Sequence, residues 1–194
     1  AGRRPLLAAA ALQELAAIAR RGDDARGARD HLDEAVALAR SAPPGDERDD
    51  RLADVLHQRA KLHADLGELA VARADLEEAL EVWRASPGDS ALRALTLCDV
   101  LARQGELERA AAVVDEAVDS VRSRLAADPA QAFLRLTLGQ LLSRRGALRR
   151  DLGRSALAVD DHVEAVSLLR SLVAEQPGDA GLVDNLATAL SVLA

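Results

Sequence analysis

RAKLHADLGELAVARADLEEAL, the sequence of residues 59–80, occurs twice in this chain in related form. Residues 145–166 read RGALRRDLGRSALAVDDHVEAV and align with the first stretch at an offset of 86 residues. We interpret the two stretches as copies of one structural unit, because self-similarity at a fixed offset is the mark of repeat architectures. The positions that agree include Arg59 with Arg145, Gly67 with Gly153, Ala72 with Ala158, and Asp75 with Asp161.

Proline and glycine interrupt the chain at regular intervals around these copies. Proline and glycine end helices, and an Asp that follows them can cap the next helix. Intervals of about forty residues are typical of stacked helical units. The breaks are Pro43-Pro44, Pro87, Pro129 and Pro177, with Gly22, Gly67, Gly105 and Gly153 between them, and the candidate caps after Pro-Gly are Asp46, Asp89 and Asp179.

Between the breaks, apolar residues recur every three or four positions, as they do in amphipathic helices. Leu52, Val55 and Leu56 begin one such stripe, while the alternating pattern of β-strands is rare. The sequence therefore predicts an all-α protein with about nine helices. Their predicted ranges are 5–20, 24–41, 47–66, 69–85, 90–104, 107–127, 130–152, 155–175 and 179–193.

Four of the predicted helices carry two alanines that are seven residues apart. Each second alanine follows Glu and precedes Val or Leu. Two helical turns return such residues to nearly the same face, so small side chains there let a neighbouring helix approach closely. The pairs are Ala28 and Ala35, Ala72 and Ala79, Ala110 and Ala117, and Ala158 and Ala165.

This spacing resembles the tetratricopeptide repeat (TPR) family, in the form of a bacterial array with longer repeats than usual. It is carried by Ala60-x6-Gly67-x4-Ala72-x6-Ala79, by Cys98-x6-Gly105-x4-Ala110-x6-Ala117 and by Gly146-x6-Gly153-x4-Ala158-x6-Ala165. The resemblance implies an all-α, right-handed superhelical solenoid of antiparallel helix pairs. HEAT or armadillo repeats, with periods of about 40–47 residues, remain the alternative on repeat length. The resemblance implies a single array over residues 1–194, with units at about 5–42, 47–86, 90–128 and 130–176 and a final helix at 179–193.

In the TPR family, the first helix of each antiparallel pair lines a concave groove that binds a peptide or helix of a partner protein. The arginines among the matching positions predict an acidic partner segment or a terminal carboxylate, because Arg grips carboxylates with two hydrogen bonds. The alternative is a solvated face on which these arginines pair locally with Asp99 and Asp151. The candidate groove residues are His57, Lys61, Leu92, Leu95, Asp99, Arg103, Arg144 and Arg150, with Asp54, Gln58, Asp65, Thr96, Gln140, Ser143 and Asp151 at neighbouring matched positions.

Composition argues against several other classes of protein. The chain has 25 basic and 32 acidic residues, a net charge of −7, which is the wrong sign for general nucleic-acid binding. No apolar run approaches the roughly 20 residues that span a bilayer. The single cysteine, Cys98, excludes an intramolecular disulfide and a cysteine-based zinc site, and we expect it to be a buried packing residue in a cytoplasmic protein.

Motifs that carry chemistry are missing from the sequence. The four histidines, His31, His57, His63 and His162, show no metal-binding spacing, and no glycine-rich nucleotide loop occurs. The two aromatic residues, Trp83 and Phe133, are predicted to pack between helices. We therefore predict a non-catalytic protein–protein interaction module without cofactor or metal, within a larger regulatory or signalling protein. The alternatives are a self-association module, a HEAT- or armadillo-like scaffold, and an all-helical enzyme domain built around His162.

Overall fold

The computed structural model describes residues 3–84 and 90–191, apart from the side chains of Arg3, Trp83, Arg84, Ser90 and Leu92. These residues form nine helices and no strand. The all-α prediction is confirmed, and each helix ends within two residues of its predicted limits. The helices are α1 (Arg3–Arg21), α2 (Ala25–Ser41), α3 (Asp46–Asp65), α4 (Leu69–Arg84), α5 (Ser90–Arg103), α6 (Leu107–Ala127), α7 (Ala132–Asp151), α8 (Ser155–Glu175) and α9 (Ala180–Ser191).

Two compact units make up the chain. Unit 1 is Ala1–Gln104 and contains α1–α5, and unit 2 is Gly105–Ala194 and contains α6–α9. Within unit 1, α1 packs on α2 and α3 packs on α4; within unit 2, α7 packs on α8. Each of these pairs is an antiparallel hairpin of helices with a short turn. The single array over residues 1–194, with its predicted unit limits, stays a prediction.

The same turn joins α3 to α4 and α7 to α8. Gly67 has a φ of +80° and Gly153 a φ of +74°, in the left-handed region that favours glycine. The amide of the next residue, Glu68 or Arg154, donates to the carbonyl five residues earlier at 2.8 or 2.7 Å. This is a Schellman motif, which ends a helix and satisfies its last carbonyls.

The predicted aspartate caps have different outcomes. Asp179 precedes α9 and accepts a hydrogen bond from the Leu182 amide at 3.1 Å, so this cap is confirmed. Asp46 is wrong as a cap, because α3 already begins at Asp46 and Gly45 stands at the cap position. Gly45 has a φ of +152°, which frees the chain to turn there. Asp89 lies outside the described residues.

The alanine pairs lie between packed helices, as predicted. None of their eight side chains is more than 5% exposed. Cys98 is fully buried at the corresponding small-residue position of α5, which confirms it as a packing residue. Close helix contact at these positions is therefore the sequence feature on which the hairpins depend.

One arginine ties three helices together in each unit, half-buried in unit 1 and buried in unit 2. Arg59 of α3 binds Asp75 of α4 at 2.7 Å and Asp33 of α2 at 2.9 Å. In unit 2, Arg145 of α7 binds Asp161 of α8 at 2.6 Å. It also reaches Asp115 of α6 at 3.3 Å. A guanidinium suits this position because its planar set of N–H donors can bind two carboxylates at once.

Candidate functional site

In unit 2, the first helices α7 and α9 enclose a cleft with a volume of about 290 Å³. Helix α8 lies beneath the cleft and contributes its floor. We call this feature the α7–α9 cleft. Its lining consists of Gln140, Ser143, Arg144 and Ala147 from α7, Leu169 from α8, and Asn185, Thr188 and Ala189 from α9.

The floor of the α7–α9 cleft is apolar and its rim is polar. Leu169 and Ala189 belong to one buried cluster. Gly139 lets Leu169 approach α7, because a Cβ atom at position 139 would lie only 3.2 Å from Leu169 Cγ. At the rim, the Gln140 side chain donates to Asn185 Oδ1 at 3.0 Å, which joins α7 to α9. An apolar floor with a few polar groups is typical of binding sites.

Three predicted groove positions, Gln140, Ser143 and Arg144, lie together in this lining. Arg150 does not line the cleft. Its side chain is exposed, and its Nε lies 3.7 Å from Asp151 Oδ1. That separation matches the local pairing considered as the alternative, and such exposed pairs contribute only about 0–1 kcal/mol.

Phe133 is more exposed than the sequence predicts. Its side chain was expected to pack between helices, but 56% of the residue is accessible, so that expectation is wrong. Phe133 precedes Gln140 by seven residues and Arg144 by eleven, spacings that place all three on one face of α7. Phe133 therefore extends the face of the α7–α9 cleft beyond its lining.

Unit 1 has a second cleft between its first helices, α1 and α3. It has a volume of about 610 Å³, and of the predicted groove positions it contains Asp54 and Gln58. We call it the α1–α3 cleft. Its lining consists of Ala10, Ala11, Gln13, Glu14, Ala16, Ala17, Arg20, Leu32, Arg51, Asp54 and Gln58.

Opposite charges balance in the α1–α3 cleft. Arg20 pairs with Asp65 at 2.7 Å, and Arg93 donates a hydrogen bond to Asp54. Arg51 bonds to the side-chain oxygen of Gln13 at 2.8 Å. The cleft is thus larger than the α7–α9 cleft and is lined by charges of both signs.

Two predicted groove residues of unit 1 are used within the fold. His57 is only 7% exposed; burial, with smaller effects of Arg93 and Lys61, lowers its pKa to about 4. Arg103 donates from Nη1 to the Ala64 carbonyl at 2.8 Å, near the end of α3. A cation there satisfies a terminal carbonyl and complements the helix dipole. Lys61, by contrast, is exposed.

The remaining predicted positions lie on α5. Leu95 is half-buried and Asp99 is exposed. The Leu92 side chain lies outside the described residues. The place of Leu92 and Leu95 in a groove therefore stays a prediction.

Acid–base groups do not assemble around His162. Asp161 accepts hydrogen bonds from Arg145 and Arg149, and within the described residues both ring nitrogens of His162 are buried without a partner. Burial is the main cause that lowers the pKa of His162, and Arg150 acts in the same direction. No cluster of three or more metal-binding side chains occurs in residues 3–84 and 90–191. None of the helices in the described ranges is long and apolar enough to cross a bilayer.

The fold is similar to that of several solved structures. BtubC (BKLC) from P. vanneervenii superposes with a TM-score of 0.72 at 20% identity, over 93% of this chain and 70% of that protein. A putative kinesin light chain with TPR-like repeats from Podosopora anserina gives a TM-score of 0.57 at 17% identity, covering 97% and 87%. A tetratricopeptide repeat protein from Parabacteroides merdae gives 0.55 at 15% identity, covering 96% and 74%. These similarities show that the helix pairs are of the TPR type.

Comparison at the level of sequence gives two results. No curated protein sequence matches the chain. Residues 89–194 match the profile of the family described as "Bacterial transcriptional activator domain". Because the match extends over more than half of the chain, this TPR-like helical repeat protein belongs to the bacterial transcriptional activator domain family.

Proposed function

We propose that this chain is a non-catalytic interaction module of a bacterial transcriptional regulator, and that its α7–α9 cleft binds a segment of a partner protein. The observation that carries the proposal is the cleft itself, which combines an apolar floor with a polar rim on first helices. The family match supports the regulatory context. TPR-like structure supports a protein or peptide as the partner.

The charges of the α7–α9 cleft favour an acidic partner segment. Arg144 lines the cleft, and the exposed Arg150 follows on the same helix. An Arg guanidinium binds carboxylates through two parallel hydrogen bonds, which makes it selective for Asp, Glu or a chain end. The α1–α3 cleft supports this role less well, because Glu14 and Asp54 stand in its lining beside the two arginines and would repel an acidic segment.

Phe133 supplies an apolar anchor for the same segment. It is exposed on the α7 face that also carries Gln140 and Arg144. Aromatic side chains bury a large area on binding and often dominate the affinity of an interface. We therefore expect a partner segment with an apolar residue next to an acidic one.

Photo-cross-linking in the source bacterium tests this function. A benzophenone amino acid at position 143 reports contacts in the α7–α9 cleft, and one at the exposed Ser120 of α6 is the matched control. We expect a discrete adduct from position 143 that is lost when Arg144→Glu or Phe133→Ala is added. An adduct that also forms at position 120, or that persists in both variants, would show that the cleft is not the binding site.

The cross-linked adduct identifies the partner and also tests for self-association. The partner peptide identified from the adduct is synthesised, and its affinity for the whole chain is measured by fluorescence anisotropy. We expect Arg144→Glu to weaken binding about tenfold, since it replaces an attractive charge with a repulsive one. If the adduct joins two copies of this chain, the chain is a self-association module instead.

A further inference from the structure

The outer side of α8 carries exposed apolar residues that the α7–α9 cleft does not use. Val159 is 52% and Val163 is 54% exposed. Arg170 follows seven residues after Val163, so the three side chains lie on one face of α8. We call Val159, Val163 and Arg170 the α8 outer face.

In unit 1, the corresponding face of α2 is covered by the next helix pair. Aligning Ala28 and Ala35 of α2 with Ala158 and Ala165 of α8 places Arg29, Asp33 and Arg40 at the positions of the α8 outer face. Arg29 binds Glu68 at 2.6 Å, and Asp33 binds Arg59 at 2.9 Å. Arg40 binds Glu78 of α4 at 2.6 Å.

In unit 2, helix α6 repeats this arrangement. Its residues Asp115 and Arg122 occupy the positions of Val163 and Arg170. Asp115 lies 3.3 Å from Arg145 of α7, and Arg122 binds Glu164 of α8 at 2.6 Å. Both α2 and α6 are thus covered by a first helix and also by a second helix of the following pair.

One register rule describes the two contacts with second helices. In each contact, the arginine lies five residues after the second alanine of its own helix. The glutamate that it binds lies directly before the second alanine of the corresponding helix in the following pair. Arg40 with Glu78 and Arg122 with Glu164 both obey it. Arg170 stands at the same register as Arg40 and Arg122, and within the described residues it has no ion pair.

Within the described residues, α8 is covered by a first helix alone. Helix α9 takes the place of a first helix, packing Leu186, Ala189 and Leu190 against Val166 and Leu169. No second helix lies over the α8 outer face in the part of the chain that the structure describes. Two exposed valines beside Arg170, on a face whose counterparts on α2 and α6 are covered, indicate a contact surface.

We propose that the α8 outer face binds an amphipathic helix of a partner protein, which packs apolar or small residues on Val159 and Val163 and places a glutamate against Arg170. This helix takes the position that α4 has on α2 and that α8 has on α6. A second copy of the chain is disfavoured as the occupant. If α2 of the second copy bound to this face, its α1 would come with it and would overlap α9, which already takes the place of a first helix. The surface is separate from the α7–α9 cleft, so the two proposals are independent.

The chain supplies its own probe for this face. A fluorescent peptide with the sequence of residues 69–84 reproduces α4, which carries Glu78 in the required register. Its binding to the whole chain is followed by fluorescence anisotropy. We expect saturable binding that Val163→Asp weakens about tenfold or more, since it places a charge in the apolar contact. Circular dichroism confirms that the variant keeps its helices.

A charge exchange identifies the Arg170 contact. We expect Arg170→Glu to weaken the peptide about tenfold, and a peptide with Glu78→Arg to bind this variant better than it binds the wild-type chain. Arg124→Glu, an exposed charge reversal on α6, is the matched control and should leave affinity unchanged. Equal binding by wild type, Val163→Asp and Arg170→Glu would overturn the proposal. So would sedimentation that shows a dimer of the chain which Val163→Asp dissociates, because the occupant would then be a second copy.

Discussion

The hairpin α3–α4 of unit 1 and the hairpin α7–α8 of unit 2 are two versions of one sequence, 86 residues apart. Both keep the ion pair between their helices, Arg59 with Asp75 and Arg145 with Asp161. The copies also share the turn glycine and the alanine pair, but some other apolar and small residues around the ion pair differ. The charged link is therefore kept while part of the packing around it has more than one solution.

The clearest difference lies where the helices cross. Unit 1 has Ala60 on α3 and Leu76 on α4, and unit 2 has Gly146 on α7 and His162 on α8 at the same positions. A Cβ atom at position 146 would lie 2.7 Å from the His162 ring. The glycine and the imidazole thus depend on each other, since Gly146 provides the space that the ring fills.

The largest expected effect is the loss of the shared arginine. Arg59→Met leaves the buried carboxylate of Asp75 without its partner, and we expect the free energy of unfolding to fall by about 3–5 kcal/mol. Arg145→Met should cost less, because Arg149 also donates to Asp161 at 2.8 Å. Urea unfolding followed by circular dichroism measures both. Equal losses would mean that Arg149 does not stabilise Asp161 on its own.

A second difference concerns pH, because unit 1 buries His57 where unit 2 has Ser143. The pKa of His57 falls from 6.5 to about 4 on folding, so between these pH values the unfolded chain binds the proton and the folded chain does not. Stability therefore decreases as the pH falls through this window, by about 2 kcal/mol at about pH 5. The lowered pKa of His162 acts in the same direction.

Exchange of this residue between the copies isolates the contribution of His57. We expect His57→Ser to remove most of the difference in unfolding free energy between pH 7 and pH 5, whatever its effect at pH 7. Urea unfolding at several pH values provides the measurement, and His31→Ser, a change at a half-buried histidine, serves as the control. An unchanged pH slope in His57→Ser would show that other groups control acid stability.

Much of the fold follows from the sequence, because helix periodicity, glycine turns and alanine pairs are local signals. The nine helices and the burial of Ala28 or Cys98 are therefore predictable. Part of the α7–α9 cleft follows as well, since Arg144 lies at a matched groove position. The wall formed by α9 could not be predicted, because α9, which carries Asn185, has no matched repeat motif.

The environment of Phe133 was predicted wrongly and the contact of Arg103 was missed, because a residue type does not determine its environment. Phe133 is apolar and rare in this chain, which suggested packing, but it lies on the open face of α7. Arg103 matched a groove position, but it reaches the carbonyl of Ala64 on a neighbouring helix. The partner of a long arginine side chain depends on tertiary distance, which spacing along one helix does not contain.

The third prediction converts one copy toward the other. Gly146→Ala alone should destabilise the protein by about 1–2 kcal/mol, since overpacking against His162 outweighs the gain in helix propensity. In a His162→Leu background, which restores the combination of Ala60 and Leu76, the same change should become neutral or stabilising by up to about 1 kcal/mol. Urea unfolding of the wild type and the three variants tests this reversal of sign. The same cost in both backgrounds would mean that the His162 ring does not limit the size of the side chain at position 146.

The smallest effects belong to the exposed pairs that link successive second helices. Arg40→Ala in α2 and Arg122→Ala in α6 should each cost less than about 1 kcal/mol, because both arginines and their glutamates are well exposed. Double-mutant cycles with Glu78→Ala and Glu164→Ala measure the two coupling energies directly. We expect similar values, since the register is the same in both units. If only one pair shows coupling, the register rule holds in one unit alone, and the assignment of Arg170 to a partner glutamate loses its second precedent.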